Sequence, residues 1–168
     1  MIAKVDCEAP NAKATAEKAG VKSYPTINYY PKGSTEAVPY TGGRSESDLI
    51  AFMNEQAGTH RAVGGGLDAI AGTIPSLDEI LGSIQAGGNK AYAELGTAAA
   101  ALGDKSGEYY AKVAKKMDEN SEYASKEAAR LQGIIKKGGL SSEKLDDVVR
   151  RNNVLSRFIA DVEGKSEL

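Results

Sequence analysis

An α+β fold, with a partial sheet placed ahead of an all-helical bundle, is what the sequence predicts. Two changes of texture carry that expectation. As far as about Gly58, strand-like and helix-like patterns alternate. From Pro75 onward only helix patterns occur, and the glycine triplet Gly64–Gly66 lies between the two regions. The expected division is residues 1–58 for the mixed part and 59–74 for a Gly-rich linker. Residues 75–162 then form a helical bundle and 163–168 a tail.

The mixed part opens with "IAKVD", Ile2–Asp6, which alternates apolar and polar side chains as a short strand does. The alanine-rich stretch "NAKATAEKAG" reads as a helix stopped at Gly20. "TINYY", Thr26–Tyr30, is rich in strand-forming residues, "PKGS" is turn chemistry, and "AVPYTG" reads as a second, antiparallel strand. Pro39 in that strand marks a sheet edge or bulge. "SESDLIAFMNEQAG" is a helix with Ser45 as its cap and Asp48 three residues on, and Leu49, Phe52 and Met53 are expected to line one face. Pro25 stands directly before a strand-forming run in a chain with 5 prolines, which points to a constrained turn and a cis X-Pro bond.

Between the two parts, Gly64–Gly66 reads as a joint rather than a phosphate-cradling loop, since no Lys-Ser or Lys-Thr pair opens a helix behind it. His60 is the one histidine and has no cysteine or carboxylate cluster beside it in sequence, so it reads as a surface residue, with no metal site.

The helical part begins with "SLDEILGSI", where Ser76 and Glu79 have the spacing of a capping box. "NKAYAELGTAAAAL", "SGEYYAKVAKKMDEN" and "SEYASKEAARLQGIIKKG" follow, the last two separated only by the weak break Asn120-Ser121. The final segment, "SSEKLDDVVRRNNVLSRFIADV", repeats Leu145, Val148, Val149, Leu155, Phe158, Ile159 and Val162 at helical spacing. Amphipathic helices with short joints bury their stripes against one another as a bundle. Tyr109, Tyr110, Val113 and Met117 are assigned to its core and rim rather than to a stacking platform.

Bulk properties narrow the function. Hydrophobic residues make up 41% and charged residues 26% of 168 residues, the composition of a folded chain. The formal net charge of −2 offers no electrostatic footprint for nucleic acid, and no run of about 18 apolar residues suggests membrane insertion. No cofactor is expected. The single cysteine, Cys7, has no partner for an internal disulfide and reads as a buried or half-buried small apolar residue.

The first third of the chain resembles the C-terminal half of a thioredoxin-fold domain of the protein disulfide isomerase family. The likeness rests on Val5-Asp6 ending a strand, on Gly20-Val21-Tyr24-Pro25-Thr26, and on Tyr40-Gly42-Arg44-Leu49-Phe52, in order and at the right spacing. The helical remainder, through "SLDEIL", "YYAKVAKKM" and "NVLSRFI", is similar to the D domain of one class of disulfide isomerases and to that of a redox-inactive chaperone of the endoplasmic reticulum. The last residues, Lys165, Ser166, Glu167 and Leu168, resemble the KDEL retrieval signal. The resemblance implies a lumenal protein, provided that its precursor carries a signal peptide. It also implies unfolded or partly folded secretory polypeptides as partners, and a homodimer is compatible with it.

What the resemblance requires and the sequence lacks is a Cys-x-x-Cys at a helix N-terminus, where the dipole and free amides lower the thiol pKa. In the family that motif lies upstream of the position of Met1. The expectation is a partial thioredoxin-like fold without the N-terminal βαβ and the CxxC, and hence the C-terminal part of a longer protein. In an intact domain the strands matching Ile2–Asp6 and Thr26–Tyr30 flank a shared central strand, absent here, so both are expected to have unpaired edges. No catalytic residue is assigned. Tyr24, Pro25 and Thr26 are assigned to substrate binding by resemblance, with the plainer reading that Pro25 only shapes the fold kept beside it. Two further functions stay open: a non-redox chaperone or escort module built on the helices, and a glutathione-transferase-like enzyme, whose acidic-Ser pair "YTGGRSESDL" matches less well than the isomerase pattern.

Overall fold

The computed structural model describes residues 2–87 and 91–159. Val162 and the retrieval-like residues Lys165, Ser166, Glu167 and Leu168 lie outside the described residues. The chain divides into two units, Met1–Gly58 and Thr59–Leu168.

In the first unit the described residues form α1 (Lys13–Lys18), β1 (Asn28–Tyr29), β2 (Val38–Pro39) and α2 (Glu46–Ala57). β1 and β2 pair antiparallel, Asn28 opposite Pro39 and Tyr29 opposite Val38, and this is the whole of their sheet. The expected strand at Ile2–Asp6 is not formed: the segment is irregular, with Ile2 93% and Val5 54% exposed. A strand is held by its neighbour, and no described strand stands beside this one. The helix at α2 has the predicted start. Ser45 Oγ accepts from the Asp48 amide (3.2 Å), and Asp48 Oδ2 accepts from the Ser45 amide (3.2 Å). Its contacts come from aromatic rings. Phe52 meets Tyr29 edge-on with centroids 5.9 Å apart and Tyr40 at 4.7 Å. Met53, expected on the inner face, is instead exposed. No described side chain of this unit is buried.

The second unit is built from α3 (Pro75–Gln85), α4 (Tyr92–Ala100), α5 (Lys105–Glu119), α6 (Tyr123–Lys137) and α7 (Ser142–Ile159). Its core contains Leu77 and Leu81 of α3, Leu95 and Ala99 of α4, Tyr110 and Val113 of α5, Leu131 of α6, and Val154, Leu155 and Phe158 of α7. The α7 stripe therefore includes Val154, which the sequence reading omitted, and leaves Leu145 exposed at the start of the helix. α5 and α6 are separate: the Asn120 side chain accepts from the Glu122 amide at 3.0 Å and turns the chain between them. α3 does not start with the predicted capping box. Pro75 occupies its first turn, Ile74 is the cap residue, and no side chain caps the end.

A tyrosine closes that helix end instead. Tyr110 is fully buried, and its hydroxyl donates to Asp78 Oδ1 (2.5 Å) and accepts from the Ile74 amide (3.3 Å). Burial, and then the bond to Asp78, hold its phenol above the ordinary tyrosine range. At the opposite end of α3, the Gln85 amide donates to the carbonyls of Arg157 (3.0 Å) and Phe158 (3.4 Å), satisfying acceptors in the last turn of α7.

Residues 59–74, expected as a flexible linker, are folded onto α7. Ala71 is 1% exposed, and Asn153 Nδ2 donates to the carbonyls of Asp68 (2.9 Å) and Ala71 (3.0 Å). Arg61 makes a forked pair with Asp146, its Nη1 donating to Oδ1 at 2.9 Å and its Nη2 to Oδ2. The glycine triplet forms the tip of a tight turn. An Arg61–Leu67 bridge closes it, and Gly64 and Gly65 hold φ of 83° and 86°, a region that disfavours other side chains.

Two predictions follow from this difference in packing. A fragment of residues 59–168 is expected to melt cooperatively by circular dichroism and a fragment of residues 1–58 is not. In the full chain, hydrogen exchange at Ile2–Asp6 should be fastest and α7 best protected; equal protection of the two would refute the account. Tyr110→Phe is expected to cost about 1–3 kcal/mol in urea melts, because it leaves a half-buried amide and carboxylate oxygen short of a partner. The neighbouring Tyr109 hydroxyl is buried with no hydrogen-bond partner among the described residues. Tyr109→Phe should therefore stay within about 0.5 kcal/mol of the parent.

Candidate functional site

The loop assigned to substrate contact runs from the end of α1 to β1. The Tyr24–Pro25 bond is cis, as the sequence pattern suggested. Thr26 Oγ1 donates to the Ser23 carbonyl at 2.6 Å and closes the loop across the proline. The Tyr40 amide donates to the Ile27 carbonyl at 2.9 Å, so the hairpin pairing starts directly behind the loop. Tyr24 is 63% exposed, and Pro25 and Thr26 are exposed with it. All three assigned residues thus form one solvent-facing surface at the entry to β1. β1 has β2 on one side and no described strand on the other.

Cys7 is half-buried, and its Sγ lies 3.8 Å from the Val5 carbonyl. It is the one cysteine in the sequence, so no dithiol centre can be assembled from this chain alone. Among the described residues no group of three or more His, Cys, Asp or Glu side chains is gathered as a metal site would be. No described helix is long and apolar enough to cross a membrane.

The helical unit carries a second feature that the sequence reading did not foresee, an open cleft of about 470 Å³. It is lined by His60, Ile70 and Thr73 of the 59–74 segment, by Pro75, Asp78 and Glu79 of the first turns of α3, and by Arg157 of α7. His60, expected to stand alone, has its Nδ1 3.5 Å from Asp68 Oδ2. Arg157 Nε lies 3.3 Å from Asp78 Oδ2, while the other oxygen of Asp78 is held by Tyr110. Asn153, Arg61 and Asp146, which hold the 59–74 wall in place, had no signal in sequence. Each is an ordinary polar residue whose partner lies 82 or 85 positions away.

The comparisons with known proteins agree with this division. Residues 72–158 match the family described as Endoplasmic reticulum protein ERp29, C-terminal domain, and residues 1–55 match the thioredoxin family. The chain is 56% identical over 117 residues to protein disulfide-isomerase tigA of Aspergillus niger, a match covering 70% of this chain and 32% of that protein. It is 48% identical over 122 residues to protein disulfide-isomerase erp38 of Neurospora crassa, covering 69% and 33%. Protein disulfide-isomerase 1 of Dictyostelium discoideum is 35% identical over 122 residues, covering 68% and 34%. The chain therefore spans about a third of the length of these curated relatives. No solved structure matches it. With an ERp29-type helical domain behind part of a thioredoxin domain, and relatives named protein disulfide-isomerases at 48% and 56% identity, the chain belongs to the protein disulfide isomerase family.

Proposed function

We propose that this chain serves oxidative protein folding in the endoplasmic reticulum lumen as a polypeptide-binding part, without carrying out thiol chemistry of its own. The observation that supports this most directly is the exposed Tyr24-Pro25-Thr26 loop at the entry to β1, whose far side has no described strand. An extended client segment would pair with the backbone there by strand addition, with Tyr24 giving apolar contact. The family resemblance supports the same use, since in an intact domain this loop borders the cysteine pair. ERp29-type membership and the relatives' names support a lumenal location, to which the Lys165–Leu168 tail would contribute as a retrieval signal. The family assignment leaves the glutathione-transferase reading without support.

Thiol–disulfide exchange of the family's kind needs an attacking thiolate and a resolving thiol close by. With Cys7 as its one thiol, this chain has the second of these nowhere in its sequence. A second reading, in which the helical unit alone escorts clients, is favoured by one observation: that unit holds all the buried side chains among the described residues.

The full chain is expected to bind a reduced, cysteine-free unfolded client and to leave insulin reduction and disulfide reshuffling at the level of the glutathione buffer. Cys7→Ser should change neither result. Pro25→Ala and Tyr24→Ser should weaken client binding; if they do not while the helical fragment binds as well as the full chain, the escort reading replaces the first. Turnover lost in Cys7→Ser would overturn the non-redox assignment.

A further inference from the structure

The cleft of the helical unit has an imbalance of charge that points to what it takes. Three of its polar groups already face partners. Thr73 Oγ1 donates to the Ile70 carbonyl at 2.8 Å, His60 lies beside Asp68, and Asp78 is shared between Tyr110 and Arg157. Glu79 is different: it is exposed, and its carboxylate has no hydrogen-bond or ion partner among the described residues. Counting formal charges along the lining, Asp78 and Glu79 stand against Arg157, which leaves one net negative charge, and it resides at Glu79.

Two apolar residues also line the cleft: Ile70, 49% exposed, leaves a large hydrocarbon surface open to water, and Pro75 is exposed as well. Aliphatic surface and an unpaired carboxylate in one cleft suit a side chain with a long hydrocarbon stem and a cationic head. An anion is disfavoured by charge: the one guanidinium in the lining has its Nε 3.3 Å from Asp78 Oδ2, and an incoming negative charge would meet both Asp78 and Glu79. At about 470 Å³, open on one side, the space suits one extended side chain better than a whole enclosed ligand.

We infer that this cleft holds one lysine or arginine side chain of an extended polypeptide, an inference that rests on the polypeptide-binding reading above. The stem lies along Ile70 and Pro75 and the cation faces Glu79. Clients with basic residues near apolar ones are then selected by the helical unit, independently of any strand pairing at Tyr24–Thr26.

The test uses the full chain and fluorescein-labelled dodecapeptides of glycine, serine and alanine with one central lysine, norleucine or glutamate. Anisotropy is read at low salt and pH 7.5, beside the cysteine-free client of the preceding subsection. The lysine peptide is expected to bind more tightly than the norleucine peptide, and the glutamate peptide least. Glu79→Gln, at an exposed position, should weaken the lysine peptide roughly two- to fivefold and leave the norleucine peptide unchanged. Raising salt should have the same effect as the substitution. Ile70→Ser should weaken both peptides. Equal binding of lysine and norleucine peptides, or a lysine preference that survives Glu79→Gln, overturns the inference. If the client binds but no peptide shows a lysine preference, the basic-residue site is wrong and the polypeptide-binding reading stands. If neither client nor peptide binds, both fall.

Discussion

A tyrosine hydroxyl sealed inside a helical core is costly to leave unpaired, and Tyr110, unlike the neighbouring Tyr109, is paired on both sides among the described residues. Its hydroxyl donates to Asp78 and accepts from the Ile74 amide. The consequences spread from this one group. It closes the amino end of α3, where no side chain caps the helix. It holds α5 against α3 at the same place that Phe158 of α7 lies against the Tyr110 ring, with centroids 5.9 Å apart. It also fixes the Asp78 carboxylate, whose second oxygen faces Arg157. The cleft wall formed by Pro75, Asp78 and Glu79 is therefore set by a core residue that does not line the cleft.

The two units differ in the kind of interaction that keeps them folded. The helical unit buries Leu77, Leu81, Leu95, Val113, Leu155 and Phe158 together, and hydrophobic burial grows with the area removed from water. The first unit relies on a helix cap, ring contacts around Phe52 and a short antiparallel pairing, with no buried side chain among its described residues. A two-stranded hairpin by itself is marginal in water. The same lack of burial leaves Tyr24, Pro25 and Thr26 accessible, so the candidate function of this unit and the low stability expected of it have one cause.

Local features were legible in the sequence because their causes are local. Ser45 and Asp48 are three positions apart, and the capping box needs nothing else. The Tyr-Pro-Thr motif announced the cis bond, the apolar periods announced the helices of the bundle, and the ordered motifs announced the family. Where the sequence reading went astray locally, a competing local signal decided. Pro75, with its φ already suited to a helix start, took the first turn of α3, and the Ser76–Glu79 spacing went unused.

By itself, then, the sequence determined an α+β chain with a mixed first part, a helical second part and a single thiol. Only the tertiary structure decided the rest, since those features depend on partners distant along the chain. Ile2–Asp6 has the alternation of a strand, yet pairing requires a neighbour, and none of the described strands supplies it. The glycine-containing segment of residues 59–74 has the composition of a linker, yet Asn153 and Asp146 hold it against α7 from 82 to 85 positions away. Periodicity records which face of an element turns inward. It does not record which element will be there to meet it, and the cleft at Glu79 draws its lining from the 59–74 segment, α3 and α7 together.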